Sequence, residues 1–265
     1  MFEFHKDKKR YFEMQKETSV EFVMPFVQEF LDLSTPKQIL EIGCAEAGVL
    51  KAFTEKGHQC TGIELLQSRV DIAETFFEDE LASGQIKFVV NDIMKIDIEN
   101  DIGHRFDLII LKDVIEHIPN QGTFIEKLRS FLNPGGLVFF GFPPWQMPFG
   151  GHQQIASNKY LSKLPYYHLL PKSIYKGILT SAKEKDTVVQ ELLEIKDTGI
   201  SIERFQSIAK SAGYKILKRK LFLINPIYKY KFNLKPRKQL PILKDLPYFR
   251  NYLSTCAYFL ITIDD

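Results

Sequence analysis

Cysteine is scarce in this chain of 265 residues: Cys44, Cys60 and Cys256 are the only three. An odd number at wide spacing argues against a disulfide framework and for a reducing compartment, so a cytoplasmic location is expected. Long apolar runs are missing too. No stretch reaches the roughly 18 apolar residues that a spanning helix needs. The opening residues, "MFEFHKDKKRYFEMQ", carry charge throughout and lack the apolar core of a signal peptide. No internal repeat and no low-complexity tract occurs. Acidic residues vanish from one segment: 215–244 holds ten Lys and Arg side chains and no Asp or Glu. What remains is an ordinary globular mix, 45% hydrophobic and 26% charged with a net charge of +2.

Residues 17–33 place apolar side chains at helical spacing (Val20, Val23, Val27, Leu31), which predicts a helix that Pro25 kinks or divides. Short apolar strands then alternate with helices. Strand 38–43 leads to a helix near 46–56, closed by Gly57. Strand 59–64 leads to helix 67–82, and strand 86–90 follows. Strand 106–111 leads to a short helix near 113–118 and another at 121–132. The turn "NPGG" opens strand 136–142. This alternation predicts an α/β fold with a mostly parallel sheet covered by helices on both faces. Further on, helical character at 171–183, a helix at 201–212 and strands at 214–224 and 255–263 are expected. The chain reads as an N-terminal helical cap, 1–36, and one α/β domain, 37–265, with insertions at 143–200 and 225–253. Both are natural lids, because ligands of open α/β sheets bind beyond the carboxyl ends of the strands.

The stretch "ILEIGCAEAGVL", 39–50, has the form of a strand, a glycine-marked turn and a helix start. Gly43 lacks a Cβ and lets the backbone approach a ligand. Ala45 and Ala47 stand where further glycines are common. A dinucleotide and S-adenosylmethionine (SAM) compete for such a loop, each using an acid such as Glu64 on the ribose. Glu41, two residues before Gly43, suits an amine-bearing, cationic ligand and suits a pyrophosphate badly. Cys44 reads as a small loop residue and not a nucleophile.

Five motifs in order then resemble the class I SAM-dependent methyltransferases: "LEIGCAEAG", "GIEL", "VVNDI", "FDLIILKDVIEHI" and "LNPGGLVFF". The resemblance covers about 37–142 and departs at Ala45 and Ala47. It implies a Rossmann-like sheet of seven strands with the last antiparallel, and SAM as cofactor. It implies cofactor contacts from Glu41, Gly43, Ala45, Glu64, Leu65, Asp92, Ile93 and Lys112. In "DVIEHI", Asp113, Glu116 and His117 fall at i, i+3 and i+4, which share a face if the segment is helical. Acid-x-x-Glu-His here resembles the ubiquinone-biosynthesis O-methyltransferases and the small-RNA terminal 2′-O-methyltransferases. That likeness implies that Asp113, Glu116, His117 and a later histidine, His152, hold one divalent metal near the acceptor. The alternatives are His152 as a metal-free general base, with His117 beside it, or a purely structural set.

Trp145, Phe149 and His152, just past the fifth strand, are expected to face the methyl site. The basic segment 215–244 with its interleaved aromatics suits an anionic surface or substrate, or a solvated face; no nucleic-acid-binding module accompanies it. The expected activity is methyl transfer from SAM, O-directed, to a small-molecule or lipid- or sugar-linked acceptor. RNA methylation and cofactor binding without catalysis stand as alternatives.

Overall fold

The computed structural model of the chain describes residues 7–264, so the first six residues of the charged N-terminal stretch lie outside it. Eight strands form one sheet: β1 Gln38–Ile42, β2 Gln59–Glu64, β3 Ile86–Val90, β4 Phe106–Lys112, β5 Leu132–Phe142, β6 Tyr214–Ile224, β7 Arg237–Lys238 and β8 Cys256–Ile263. Their spatial order is β3-β2-β1-β4-β5-β8-β6-β7. The first five are parallel, β8 runs antiparallel to β5, and β6 antiparallel to β8. This is the mostly parallel α/β sheet that the alternating pattern predicts, in the Rossmann-like form that the resemblance implies, with one strand more than expected. The extra strand is β7, two residues pairing with β6 at the sheet edge. Two basic residues carry no periodic signal, so nothing in the sequence marks them as a strand.

Alternation along each strand feeds two cores, one per face. In β5, Val138, Phe140 and Phe142 join Ile109, Leu111 and Phe205 on one side. Leu137 and Phe139 join Phe26, Phe53 and Leu260 on the other.

The helices differ from the periodicity in instructive ways. The first begins at Lys8, where Asp7 accepts from the Arg10 amide at 2.9 Å, and runs to Thr18. It continues through a wider turn, Ser19–Val23, into Met24–Val27 and so ends well before 33. The wide turn accommodates Pro25, which has no amide to donate. The expected helix 67–82 splits into Gln67–Glu74 and Glu78–Ala82, because Phe77 turns fully into the core between them. Asp186–Thr198, a helix with no strong cap, was not anticipated and packs against Lys172–Ser181.

Two glycines set the geometry at the carboxyl end of β1. Gly43 holds φ at +68°, and a Cβ there would meet the Val114 side chain at 2.8 Å. At Gly48 a Cβ would lie 2.3 Å from the Phe12 carbonyl oxygen, so glycine allows the helix Lys8–Thr18 to lie directly on the loop and on the helix Gly48–Thr54.

Candidate active site

A cavity of about 650 Å³ opens at the carboxyl end of the parallel strands. Its floor is Glu41 and the loop 43–49. One wall is the N-terminal helix, through Lys8, Tyr11, Phe12 and Gln15. The far end holds Lys112, Asp113, Glu116, Phe149, His152, Tyr228 and Lys231. Both insertions therefore contribute, as does a helix from the other end of the chain. A volume of this size suits a ligand of cofactor dimensions with an acceptor beside it.

The loop is held in a strained path. Ala45 and Ala47 have φ of +50° and +60°. The Ala45 amide donates to Glu64 at 2.9 Å, while the other Glu64 oxygen accepts from the amides of Leu65 and Leu66 at 2.8 and 3.2 Å. Glu64 thus ties the end of β2 to the loop, and its carboxylate is largely occupied by backbone. It does not line the cavity. Asp92 accepts from the Met94 amide, Ile93 is packed in the core, and Leu65 is exposed beside them; these three do not line it either. Arg69, which the sequence did not single out, does.

Glu41 is buried, and one of its carboxylate oxygens meets no partner among the described residues. Burial raises its pKa well above the carboxylate range, against the pull of Lys112. An unpaired buried acid on the cavity floor fits a ligand that brings positive charge to it. Lys112 donates to Gln15 at 2.6 Å and to Asp113 at 3.0 Å. Burial alone would lower its pKa, but the charges of Asp113 and Tyr11 and the hydrogen bond to Asp113 together outweigh that and lift it. Cys44 is buried, and burial pushes its thiol up, so it stays a thiol.

The segment after β4 is not the helix the spacing suggested. Asp113 takes φ of +58°, and only Ile115–His117 form a short 3-10 turn. The three side chains therefore do not share a helical face, and the Asp113 carboxylate accepts from Lys112 at 3.0 Å. Burial works against its charge, but Lys112 and Lys231 together hold its carboxyl below the usual range. Glu116, His117 and His152 do converge: their ligand atoms all lie within 4.8 Å of one another. The two imidazole rings are 4.9 Å apart. Both Glu116 carboxylate oxygens are buried without a partner among the described residues, and burial followed by Asp113 raises its pKa well above the usual carboxylate range. Burial, with His117 adding to it, lowers His152 to about 4.

Residues outside the sequence reading hold this turn in place. Gln121 donates to the carbonyls of Ile115 and Thr198 at 3.0 and 2.7 Å, and Thr198 donates to the Glu116 carbonyl at 2.6 Å. The helix Asp186–Thr198 thereby clamps the turn. Trp145 is no site residue. Its ring lies against Gly199 and 4.7 Å from His168, and it anchors the lid, whereas Phe149 and His152 line the cavity. Lys231, from the basic insertion, reaches the cavity with its pKa lowered by burial to about 8.

Comparison with known proteins matches this arrangement. The family model described as a methyltransferase domain covers residues 14–166, more than half of the chain. The ubiquinone biosynthesis O-methyltransferase of Coxiella burnetii (strain Dugway 5J108-111) is 28% identical over 104 residues, 39% of this chain and 42% of that protein. The one from Histophilus somni (strain 2336) is 23% identical over 144 residues, 50% and 58% respectively. The chain thus spans about half the length of these curated relatives, or less. Among solved structures, a SAM-dependent methyltransferase from Clostridium acetobutylicum superimposes with a TM-score of 0.57 at 10% identity, over 94% of this chain and 92% of that one. The magnesium protoporphyrin IX methyltransferase from Synechocystis with bound SAH gives 0.53 at 12% identity, over 94% and 82%. The chain belongs to the methyltransferase-domain family, and its fold is that of the SAM-dependent methyltransferases on which it superimposes.

Proposed function

We propose that the protein transfers the SAM methyl group to a hydroxyl oxygen of a small-molecule acceptor held at the His152 end of the cavity. The observation that carries this reading is the convergence of Glu116, His117 and His152 beside Phe149 and Tyr228, with both Glu116 oxygens left without protein partners. The sulfonium methyl is already activated, so the protein's task is to align donor and acceptor and exclude water; alignment supplies roughly 7–11 kcal/mol. An oxygen acceptor also has to lose its proton, and the cluster is the chemistry that meets that need.

In this reading SAM lies along the loop 43–49 under the N-terminal helix, its positive groups toward Glu41, with Lys112 at the boundary between cofactor and acceptor. Glu64 shapes the loop and offers its remaining acceptor capacity to the ribose. One carboxylate and two neutral imidazoles suit Zn²⁺, Mn²⁺, Co²⁺ or Fe²⁺ better than Mg²⁺. A divalent ion bound there would lower the pKa of the acceptor hydroxyl. His152, with its pKa near 4, is a poor proton acceptor and a good neutral ligand, which favours the metal over a plain base. The curated relatives are named as O-methyltransferases, which points the same way.

The test uses purified protein, SAM and a panel of hydroxylated and amine acceptors, with product mass read before chelation, after it, and after metal add-back. The expected outcome is O-methyl product that disappears on chelation and returns with metal, while SAM affinity by calorimetry stays the same. Glu116→Ala and His152→Ala are expected to remove metal binding and to cost roughly 10²–10⁴ in rate. Activity indifferent to chelators but sensitive to His152→Ala would replace the metal with a base. Turnover on amines alone would overturn the oxygen assignment.

A further inference from the structure

We propose that the outer face of the two insertions docks the protein on an anionic lipid bilayer, with the cavity mouth at its border. The helix Phe249–Leu253 is inside out. Arg250 and Asn251 are 7% and 1% exposed, whereas Tyr248 and Phe249 are each 71% exposed. The polar pair is pinned inward: Arg250 donates to Glu203 and to Gln206, both at 2.8 Å, and Asn251 accepts from the Ile202 amide at 2.8 Å. Apolar side chains ordinarily go inside and Arg outside, so a segment built the other way presents its apolar side to something other than water. Ile242, on the preceding turn, is 77% exposed.

The other insertion joins this face. Tyr166 has its ring 6.5 Å from Tyr252, and its hydroxyl donates to the Tyr252 carbonyl at 3.2 Å. Tyr160 on the same loop is 75% exposed, between Lys159 and Lys163. The juxtaposition follows from topology. β5 and β6 both run antiparallel to β8, so the insertions that follow them leave the sheet at the same end. Thr255, two residues beyond Leu253, and Ile155, on the loop that leads to Tyr160, line the cavity, which places the face beside the cavity mouth.

Charge selects the occupant. Lys218, Lys229 and Arg219 of the basic segment are spent on Glu29, Glu21 and Asp245, but Lys159 and Lys163 stand exposed on either side of Tyr160 in the apolar face. Aromatic side chains interleaved with Lys and Arg suit the headgroup region of an anionic membrane. A second copy of the chain would bring the same positive charges together across a twofold axis. This inference stands apart from the acceptor and the metal.

The test is flotation of the intact protein with vesicles of equal parts phosphatidylglycerol and phosphatidylcholine, against phosphatidylcholine alone. The protein is expected to float with the anionic vesicles only, and less at high salt. A double variant, Lys159→Ala with Lys163→Ala, is expected to lower the partition coefficient roughly thirtyfold. A second, Ile242→Ser with Phe249→Ser, should also release it. Both should keep unaltered SAM affinity, since none of these residues lines the cavity. Failure of the parent protein to float with anionic vesicles would overturn the proposal. So would binding unchanged in both variants, or a sedimentation dimer that Ile242→Ser with Phe249→Ser dissolves.

Discussion

Ala45 and Ala47 carry the tightest conformational demand on single residues in the cavity floor. A Cβ in the left-handed region costs roughly 1–2 kcal/mol, and the Glu64 carboxylate and the Ala47 amide bond to Cys44 hold the loop there. Ala47→Gly is therefore expected to stabilise the protein by up to about 1 kcal/mol after the extra backbone entropy of glycine is counted, read as a rise in unfolding midpoint. Glu64→Ala is expected to do two things. It strips acceptors from three backbone amides, which lowers the unfolding midpoint, and it weakens SAM binding by about 1.5–3 kcal/mol in calorimetry. Unchanged affinity in a folded Glu64→Ala protein would remove Glu64 from the cofactor site. Both alanines were visible in the sequence as departures from glycine. Their consequence was not, because a loop's φ depends on what its neighbours hold in place.

The lid elements invite a pH argument. His168 is fully buried, with Nε2 2.8 Å from the Trp145 carbonyl and Nδ1 3.2 Å from the Gln153 amide nitrogen. Donation from one ring nitrogen and acceptance at the other require the neutral imidazole, and burial lowers its pKa to about 4. The unfolded chain, with an ordinary pKa of about 6.5, takes up the proton first as pH falls. The contribution is thus present above about pH 6.5 and is lost as pH drops toward 4, reaching on the order of 3 kcal/mol. Hydrogen exchange of the helix Asp186–Thr198 is expected to accelerate over that window, and His168→Gln should flatten the profile. A second element matters as much. Gly48→Ala would drive a methyl group into the Phe12 carbonyl, lifting the helix Lys8–Thr18 off the loop. SAM affinity is expected to fall in that variant while the far face of the sheet keeps its hydrogen-exchange protection. The helix Lys8–Thr18 escaped the periodicity because its sequence is dominated by charged residues, and only its contact with the loop gives it a role.

At the scale of the whole molecule, the sheet is the rigid frame that brings distant segments to one end. Phe139 packs edge-on against Phe26 and Tyr258, joining the N-terminal layer to β5 and β8. Phe139→Ala is expected to cost about 3–5 kcal/mol in denaturant unfolding, and a loss under 1 kcal/mol would mean that the layers are not coupled there. The succession of strands and helices, the mostly parallel sheet and the cofactor loop could be read directly from the chain, since alternating apolar strands, helices and glycine turns are written within a few residues of each other. The meeting of His152 with Glu116 and His117 was implied by the resemblance at "DVIEHI", with His152 chosen by its position just past the fifth strand. The exclusion of Asp113 from that cluster could not be read, because it turns on one left-handed residue and the pull of Lys112. Nor could the cavity wall formed by Tyr11, Gln15 and Lys231, or the apolar face turned outward at 248–253. These rest on contacts between segments far apart in the chain, which no local window of sequence contains: Gln15 reaches Lys112 across 97 residues, and Arg250 is drawn inward by Glu203.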